Sequence, residues 1–276
     1  MELVETEYIS FLDSDDWLMP EYVESILCRV EKHPAEMVVI LPVIYHEGSR
    51  LVRDWYDKPV FEKIFPEDGS VVCAHEVPQI YQLEVNVCRK VLRMDFVKRI
   101  QFCFPEGIKW EDVFPHFYLL SQCKSCMGIG SVGFYYRIGS SGQITASRGQ
   151  DRLDILGIFE ELLDYVTAEK RRELEFPVMR IFVRFSIWCI KMTEGETRRT
   201  LVRRLHRFFR KVPKSFYHAL KSGTSGNYTK ADARQYRLFL LAIRHKPFYR
   251  IFNDYFYQEA AEKSIKKLLG AKERVA

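Results

Sequence analysis

An α/β layer followed by an α-helical region is the architecture this sequence predicts, and three observations carry the prediction. Strand-like and helix-like apolar periods alternate through the first half of the chain. From about residue 151 onward every apolar pattern has helical spacing. The charge also changes sign. Residues 1–147 hold 14 Lys and Arg against 22 Asp and Glu, whereas residues 148–276 hold 28 against 15. Such a split marks regions with different partners. The expected division is therefore an α/β part over 1–147 and a basic helical region over 148–276.

The α/β part opens on a strand at 8–12 and continues into a helix at about 20–32, where Tyr22, Val23, Ile26, Leu27 and Val30 recur at helical spacing. Val38 to Ile44 is continuously apolar and reads as one buried strand. Residues 46–80, rich in Gly, Pro, Asp and charge, predict a long surface connection with little regular structure. Asn86 to Ile100 has a helical pattern in Val87, Val91, Met94 and Val97; Glu111 to Leu120 predicts a further helix, and Val132 to Tyr136 a strand. Helices are then expected over Leu153–Val166, Val178–Met192, Arg198–Val212, Tyr236–Arg244 and Phe248–Leu269, with turn signals at Gly223-Thr-Ser-Gly226 and Lys246-Pro247.

A chain of 276 residues with 47% hydrophobic and 14% aromatic content can bury a sizeable core. Its best apolar run, Met37 to Tyr45, contains Pro42 and falls far short of the ~20 residues that span a bilayer. The N-terminus is acidic and carries no signal-peptide pattern, and the seven cysteines are irregularly spaced. Both features predict a cytoplasmic protein with reduced thiols. Cys123-Lys-Ser-Cys126 lacks the second pair that a structural zinc site would want.

The chemistry concentrates in Tyr8-Ile-Ser-Phe-Leu-Asp13-Ser-Asp15-Asp16-Trp17, where an apolar strand runs into three carboxylates. In an extended backbone alternate side chains share a side, so Asp13 and Asp15 converge while Ser14 faces away. Two carboxylates that close repel unless a cation joins them, and a hard divalent ion, Mg²⁺ or Mn²⁺, prefers such oxygen ligands. The simpler reading is a helix N-cap ahead of Pro20-Glu21, although a cap needs one such residue and not three.

This segment resembles the metal-binding Asp-x-Asp strand of the family 2 glycosyltransferases, which carry a GT-A fold. Two further stretches resemble that family in order: Trp110-Glu111-Asp112, and Tyr135-Tyr-Arg137-Ile-Gly-Ser-Ser-Gly-Gln143-Ile-Thr145. The likeness covers about the first half of the chain, as a partial GT-A domain. It implies that Asp13 and Asp15, with Asp16, hold the metal, Asp13 also facing the donor. It makes Asp112 the general base toward the acceptor and Glu111 its neighbour on the donor or metal side. Trp110 is a candidate for stacking on an acceptor sugar. Arg137 and Arg148 are candidates for phosphate contacts, in a loop that Gly139 and Gly142 would allow to close; Gln143 stands where the family usually has Ser. Asn86-Val-Cys-Arg-Lys90 resembles a site-lining stretch more weakly and makes Lys90 a candidate donor contact.

In the resembled family, strand–helix units that hold the nucleotide base precede the Asp-x-Asp strand. Here Met1 to Glu7 reads as the tail of the helix entering that strand, so a truncated chain is expected. In the basic half, residues 198–214 hold eight basic residues and no acid around an apolar stripe of Leu201, Val202, Leu205, Phe208, Phe209 and Val212. Such a helix can lie on an anionic membrane surface, or pack its stripe on the core. No motif supports nucleic-acid binding.

The expected function is an inverting, metal-dependent transfer of a sugar from a nucleotide-diphosphate donor, UDP-sugar favoured, to a saccharide or lipid-linked acceptor. Surface polysaccharide or lipopolysaccharide synthesis at the inner face of the membrane is the setting that fits. The competing class is an inactive remnant, or a module docking on a membrane or partner through its basic helices.

Overall fold

The computed structural model describes residues 3–139, 149–223 and 229–244. The α/β part comprises β1 (Tyr8–Ser10), β2 (Trp17–Leu18), α1 (Tyr22–Lys32), β3 (Met37–Ile40), β4 (Val43–His46), β5 (Leu51–Asp54), α2 (Lys58–Ile64), β6 (Val71–Val72), β7 (Lys90–Arg93), α3 (Met94–Arg99), α4 (Val113–Gln122), β8 (Cys126–Ile129) and β9 (Phe134–Ile138). The helical region comprises α5 (Ile155–Ala168), α6 (Glu175–Met192), α7 (Gly195–Lys211), α8 (Lys214–Ser222) and α9 (Lys230–Arg244). The strands form two sheets, ordered β1-β7-β3-β8-β6 and β2-β9-β4-β5.

The larger sheet is covered on both faces, and β3 shows why its strands read as unbroken apolar runs. Val38 and Ile40 pack with Tyr22, Ile26 and Val30 of α1, whereas Met37 and Val39 point into the main core. The expected single strand over Val38–Ile44 is in fact two, β3 and β4, in different sheets. The backbone of Leu41 still donates to Ile129 O at 2.9 Å, but Pro42 has no N–H to continue the ladder, and the chain crosses over there.

Two other expectations are corrected. Residues 46–80 are not a bare connection: they supply β5, α2 and β6, and they bury Trp55, Phe61, Phe65, Ile80 and Tyr81. Lys58, Glu62 and Lys63 decorate α2, so composition hid a short helix whose Val60, Phe61 and Ile64 face inward. Asn86–Ile100 is not one helix but the strand β7 followed by α3. Val91 and Leu92 go to opposite faces of the sheet and into different clusters, as strand geometry requires. Strand β8 carries no sequence signal, because its Cys-Met-Gly-Ile lacks β-branched residues until its end. Gly128 is needed there, since a Cβ would lie 2.1 Å from the Phe65 ring.

In the helical region the four expected helices within the described residues are present, with α8 in addition, while the helix expected at 248–269 lies outside them. Phe182 of α6 is the hub, with ring centroids 4.8 Å from Phe159 and 4.9 Å from Phe208. The apolar stripe of α7 is fully used in this packing: Leu201, Leu205, Phe208 and Phe209 are all buried. Of the two readings open for the stripe of 198–214, membrane surface or core, its burial is that of packing on the core. Arg203, Arg204, Arg207 and Arg210 remain exposed on the opposite face. One buried cluster joins β3, α4, α5, α6, α7 and α9. No helix among the described residues is long and apolar enough to cross a membrane.

Between sheet and helices lies a buried ion pair. Arg89 Nη1 is 2.6 Å from Asp57 Oδ2, and both side chains are 1% exposed. Arg89 Nε also donates to Ile40 O at 3.1 Å, and the guanidinium lies 5.7 Å from the Trp55 ring. Removing one partner strands the other charge. Asp57→Ala is therefore expected to lower stability by about 3–5 kcal/mol in denaturant unfolding, and Arg89→Met in the same chain to recover most of the loss.

Candidate active site

The three aspartates meet through a turn, not through strand alternation. Strand β1 ends at Ser10, and Asp16 N donates to Asp13 O at 3.1 Å across the turn. This brings carboxylate oxygens of Asp13, Asp15 and Asp16 within 4.8 Å of one another. It also reverses the expected emphasis, because Asp16 is the buried member and Asp13 the exposed one. Asp16 Oδ1 accepts a hydrogen bond from Arg137 N at 2.9 Å, while its buried Oδ2 has no hydrogen-bond partner. The N-cap of α1 is Glu21, so none of the three acids performs the capping role.

Burial pushes the Asp16 carboxyl up to about 6, with Asp13 and Asp15 adding to the effect and the Arg137 N–H opposing it. Asp13 is also raised, first by burial and then by Asp15 and Glu111, against a hydrogen bond from Cys88. Three converging carboxylates, one with a buried unsatisfied oxygen, form a donor set that suits a hard divalent cation.

The Glu111-Asp112 pair is delivered by a strained turn. Trp110 has φ +74°, an uncommon value for a bulky residue, which costs about 1–3 kcal/mol. Lys109 anchors the turn to the helical region, with Nζ 2.8 Å from Asp151 Oδ2 and its backbone N–H on Asp154 Oδ2 at 3.4 Å. Asp112 then occupies the N-cap of α4 but makes no side-chain capping bond. Its carboxylate lines the cavity instead. Burial pushes this carboxyl up, to about 7, with Lys90 pulling it back and Glu111 and Asp13 adding to the rise.

Lys90 is not the exposed helical lysine that is the usual case. It is a buried residue of β7 whose Nζ donates to Asn86 O at 2.8 Å. It does not line the cavity, so its link to the site is its charge beside Asp112 and not a contact with a donor. Burial in turn lowers the Lys90 ammonium, assisted by Arg89 and opposed by Asp112.

Asp13, Trp110, Glu111 and Asp112 share one cavity of about 640 Å³. Asp15 and Asp16 adjoin it through Asp13. Arg137 contributes its backbone to Asp16, but its guanidinium lies 5.0 Å from the Trp17 ring and 3.5 Å from Glu47, outside the cavity lining. Arg148 and the loop around Gly142 and Gln143 fall outside the described residues.

The rest of the wall is not foreseen from the sequence: Trp55, Tyr56, Glu84 and Tyr136 from the α/β part, and Arg152, Arg184, Phe185 and Trp188 from the helical region. Glu84 and Arg184 form a two-pronged ion pair that ties the α/β part to α6. No local signal marks these residues, which come from segments up to about 130 residues apart.

Residues 1–86 match the family model described as glycosyl transferase family 2. The likeness to the family 2 glycosyltransferases thus lies in the first 86 residues, and the fold as a whole is of the GT-A kind. Among solved structures, S. aureus TarS residues 1–349 in complex with UDP-GlcNAc superposes with a TM-score of 0.59 at 17% identity, over 88% of this chain and 69% of that one. The same fragment in complex with UDP gives 0.55 at 19%, over 88% and 68%. Full TarS gives 0.55 at 17%, over 87% of this chain and 41% of that one. No curated protein matches the sequence. The matched segment holds the three aspartates and ends before Lys90 and Asp112.

Proposed function

We propose that the protein transfers a sugar, with inversion, from a nucleotide-diphosphate donor to an acceptor hydroxyl. The carrying observation is that Asp13 of the aspartate turn and Asp112 of the Glu-Asp segment open onto the same cavity. Asp13, Asp15 and Asp16 would hold Mg²⁺ or Mn²⁺. When bound, such an ion supplies Lewis-acid stabilisation of the departing diphosphate. Asp112 takes the proton from the acceptor hydroxyl as its oxygen bonds to the anomeric carbon. The bond from that carbon to the diphosphate oxygen breaks, and the nucleotide diphosphate leaves with the bonding pair. One displacement inverts the centre. Glu111, exposed beside Asp112, stands on the donor side.

A UDP-sugar is the favoured donor, supported by the TarS structures that hold UDP-GlcNAc and UDP. Arg137 and Arg148 remain candidates for phosphate contact, and surface polysaccharide or lipopolysaccharide assembly at the cytoplasmic face of a membrane is the favoured setting. Any attraction to anionic lipid through 198–214 would rest on the exposed arginines and lysines of that stretch, not on its buried apolar stripe. The test is a panel of nucleotide sugars with Mn²⁺, following release of the free nucleotide diphosphate with and without saccharide acceptors. Turnover that requires the cation supports the reading; binding and turnover of none of the panel opposes it.

The raised carboxyl of Asp112 also fixes a pH dependence. A base works only when deprotonated, so activity is expected to fall as pH drops through about 7. Lys90 holds that carboxyl down, and Lys90→Met should move the acid limb upward by about 1 pH unit in a kcat/KM profile.

A further inference from the structure

The helical region supplies Asp151, Arg152, Arg184, Phe185 and Trp188 to the cavity wall, and this composition selects among ligands. Trp110 and Trp188 meet edge to face, with centroids 4.8 Å apart and planes at 88°, and Trp110 lies 5.6 Å from Phe185. Arg152, itself 1% exposed, lies 5.0 Å from the Trp110 ring and 4.4 Å from the Trp188 ring and fixes both. The result is a packed aromatic surface in the same cavity as Asp112.

The charges around it are already engaged. Lys109 pairs with Asp151 at 2.8 Å, Arg184 with Glu84, and Arg152 lies against the two tryptophans. These are the cations among the described lining residues, against carboxylates of Glu84, Glu111, Asp112 and Asp151, with Asp13 set aside as a proposed metal ligand. An acceptor bearing a phosphate or carboxylate would meet excess negative charge at this wall. A neutral sugar ring, with apolar C–H faces and hydroxyl edges, matches aromatic surface flanked by hydrogen-bonding acids.

We infer that Trp110, Phe185 and Trp188 form an acceptor subsite for an uncharged pyranoside, which the helical region supplies to the α/β part. The inference rests on the glycosyltransfer reading of the same cavity. Sequence points to Trp110 alone; Trp188 and Phe185, on α6, complete the platform.

The test uses the full chain with UDP-GlcNAc or another turned-over UDP-sugar, Mn²⁺, and two sets of acceptors: methyl glucoside, galactoside and mannoside, against glucose 6-phosphate and methyl glucuronoside. The neutral set should be used at least about tenfold better in kcat/KM, and should quench tryptophan fluorescence of the nucleotide-bound protein. Trp188→Ala should raise the KM for the neutral acceptor at least about tenfold, and Trp188→Phe should restore much of it. Should Trp188→Ala fold poorly, saturation-transfer NMR on the wild-type protein decides, because aromatic protons must reach the pyranoside C–H protons. Preference for the charged set, an unchanged KM in Trp188→Ala, or no aromatic contact by NMR would overturn the inference while leaving glycosyltransfer intact. Failure of every UDP-sugar to bind would overturn the glycosyltransfer reading itself.

Discussion

Asp112→Asn is expected to lower kcat/KM for sugar transfer by about a thousandfold while leaving nucleotide binding in place. The side chain is nearly isosteric, and no described hydrogen bond to another residue depends on its carboxylate, since the N-cap position of α4 is held by backbone bonds alone. The substitution removes the proton acceptor together with the negative charge that faces buried Lys90. Asparagine is neutral at every pH, so the residual activity should also lose the acid limb near pH 7 that the wild-type carboxyl imposes. A steady-state pH profile of wild type and variant checks both effects. Residual activity that keeps the wild-type limb would assign the base to another group, and Glu111 is the neighbouring carboxylate to examine next.

A loss at least about a hundredfold is expected for Asp13→Ala, by a different route. Asp13 is the exposed member of the turn and the one that faces the cavity, whereas Asp16 is tied to Arg137 N. Truncating Asp13 should weaken cation-dependent donor binding without unfolding the turn, whose Asp16 N to Asp13 O bond uses backbone atoms. Titrating Mn²⁺ against activity should show the variant needing more cation. Circular dichroism and thermal melting should be near wild type, which separates this loss from misfolding.

Asp13 stands out locally, in an apolar strand that ends in three acids. Asp112 is picked out instead by the resemblance of Trp110-Glu111-Asp112 to the family 2 motif, since a Glu-Asp ahead of an apolar helix is by itself ordinary helix N-terminal charge. What sequence does not show is how the acids converge. Strand alternation would pair Asp13 with Asp15 and leave Asp16 marginal; the turn instead buries Asp16, with one oxygen on the Arg137 backbone 121 residues away. Lys90 reads as helical because its apolar neighbours fit a helical period as well as a strand. Its burial follows from β7 lying between β1 and β3, a pairing that only the folded sheet reveals. The aromatic wall is hidden for the same reason. Trp188 reads as one more apolar residue of α6 until that helix is packed on the α/β part, through Arg184 on Glu84 and through Trp188 itself on Trp110.

The chain's basic second half shows how a correct pattern can support two outcomes. The stripe of α7 is amphipathic whether it meets lipid or protein, and the tertiary packing decides: Phe208 and Phe209 lie against Phe159, Phe182 and Phe239. The helical region thereby serves the cavity, closing it opposite the sheet.

The central claim is that the aspartate turn grips a cation that binds the donor's diphosphate. Isothermal calorimetry tests it most directly, with UDP titrated into the full chain in Mn²⁺ and again in EDTA, for wild type and Asp13→Ala. Wild-type binding in Mn²⁺ is expected to weaken at least about tenfold in EDTA, with a similar weakening in Asp13→Ala when Mn²⁺ is present. Equal UDP affinity in Mn²⁺ and EDTA, or an Asp13→Ala protein that binds as wild type does, would contradict it.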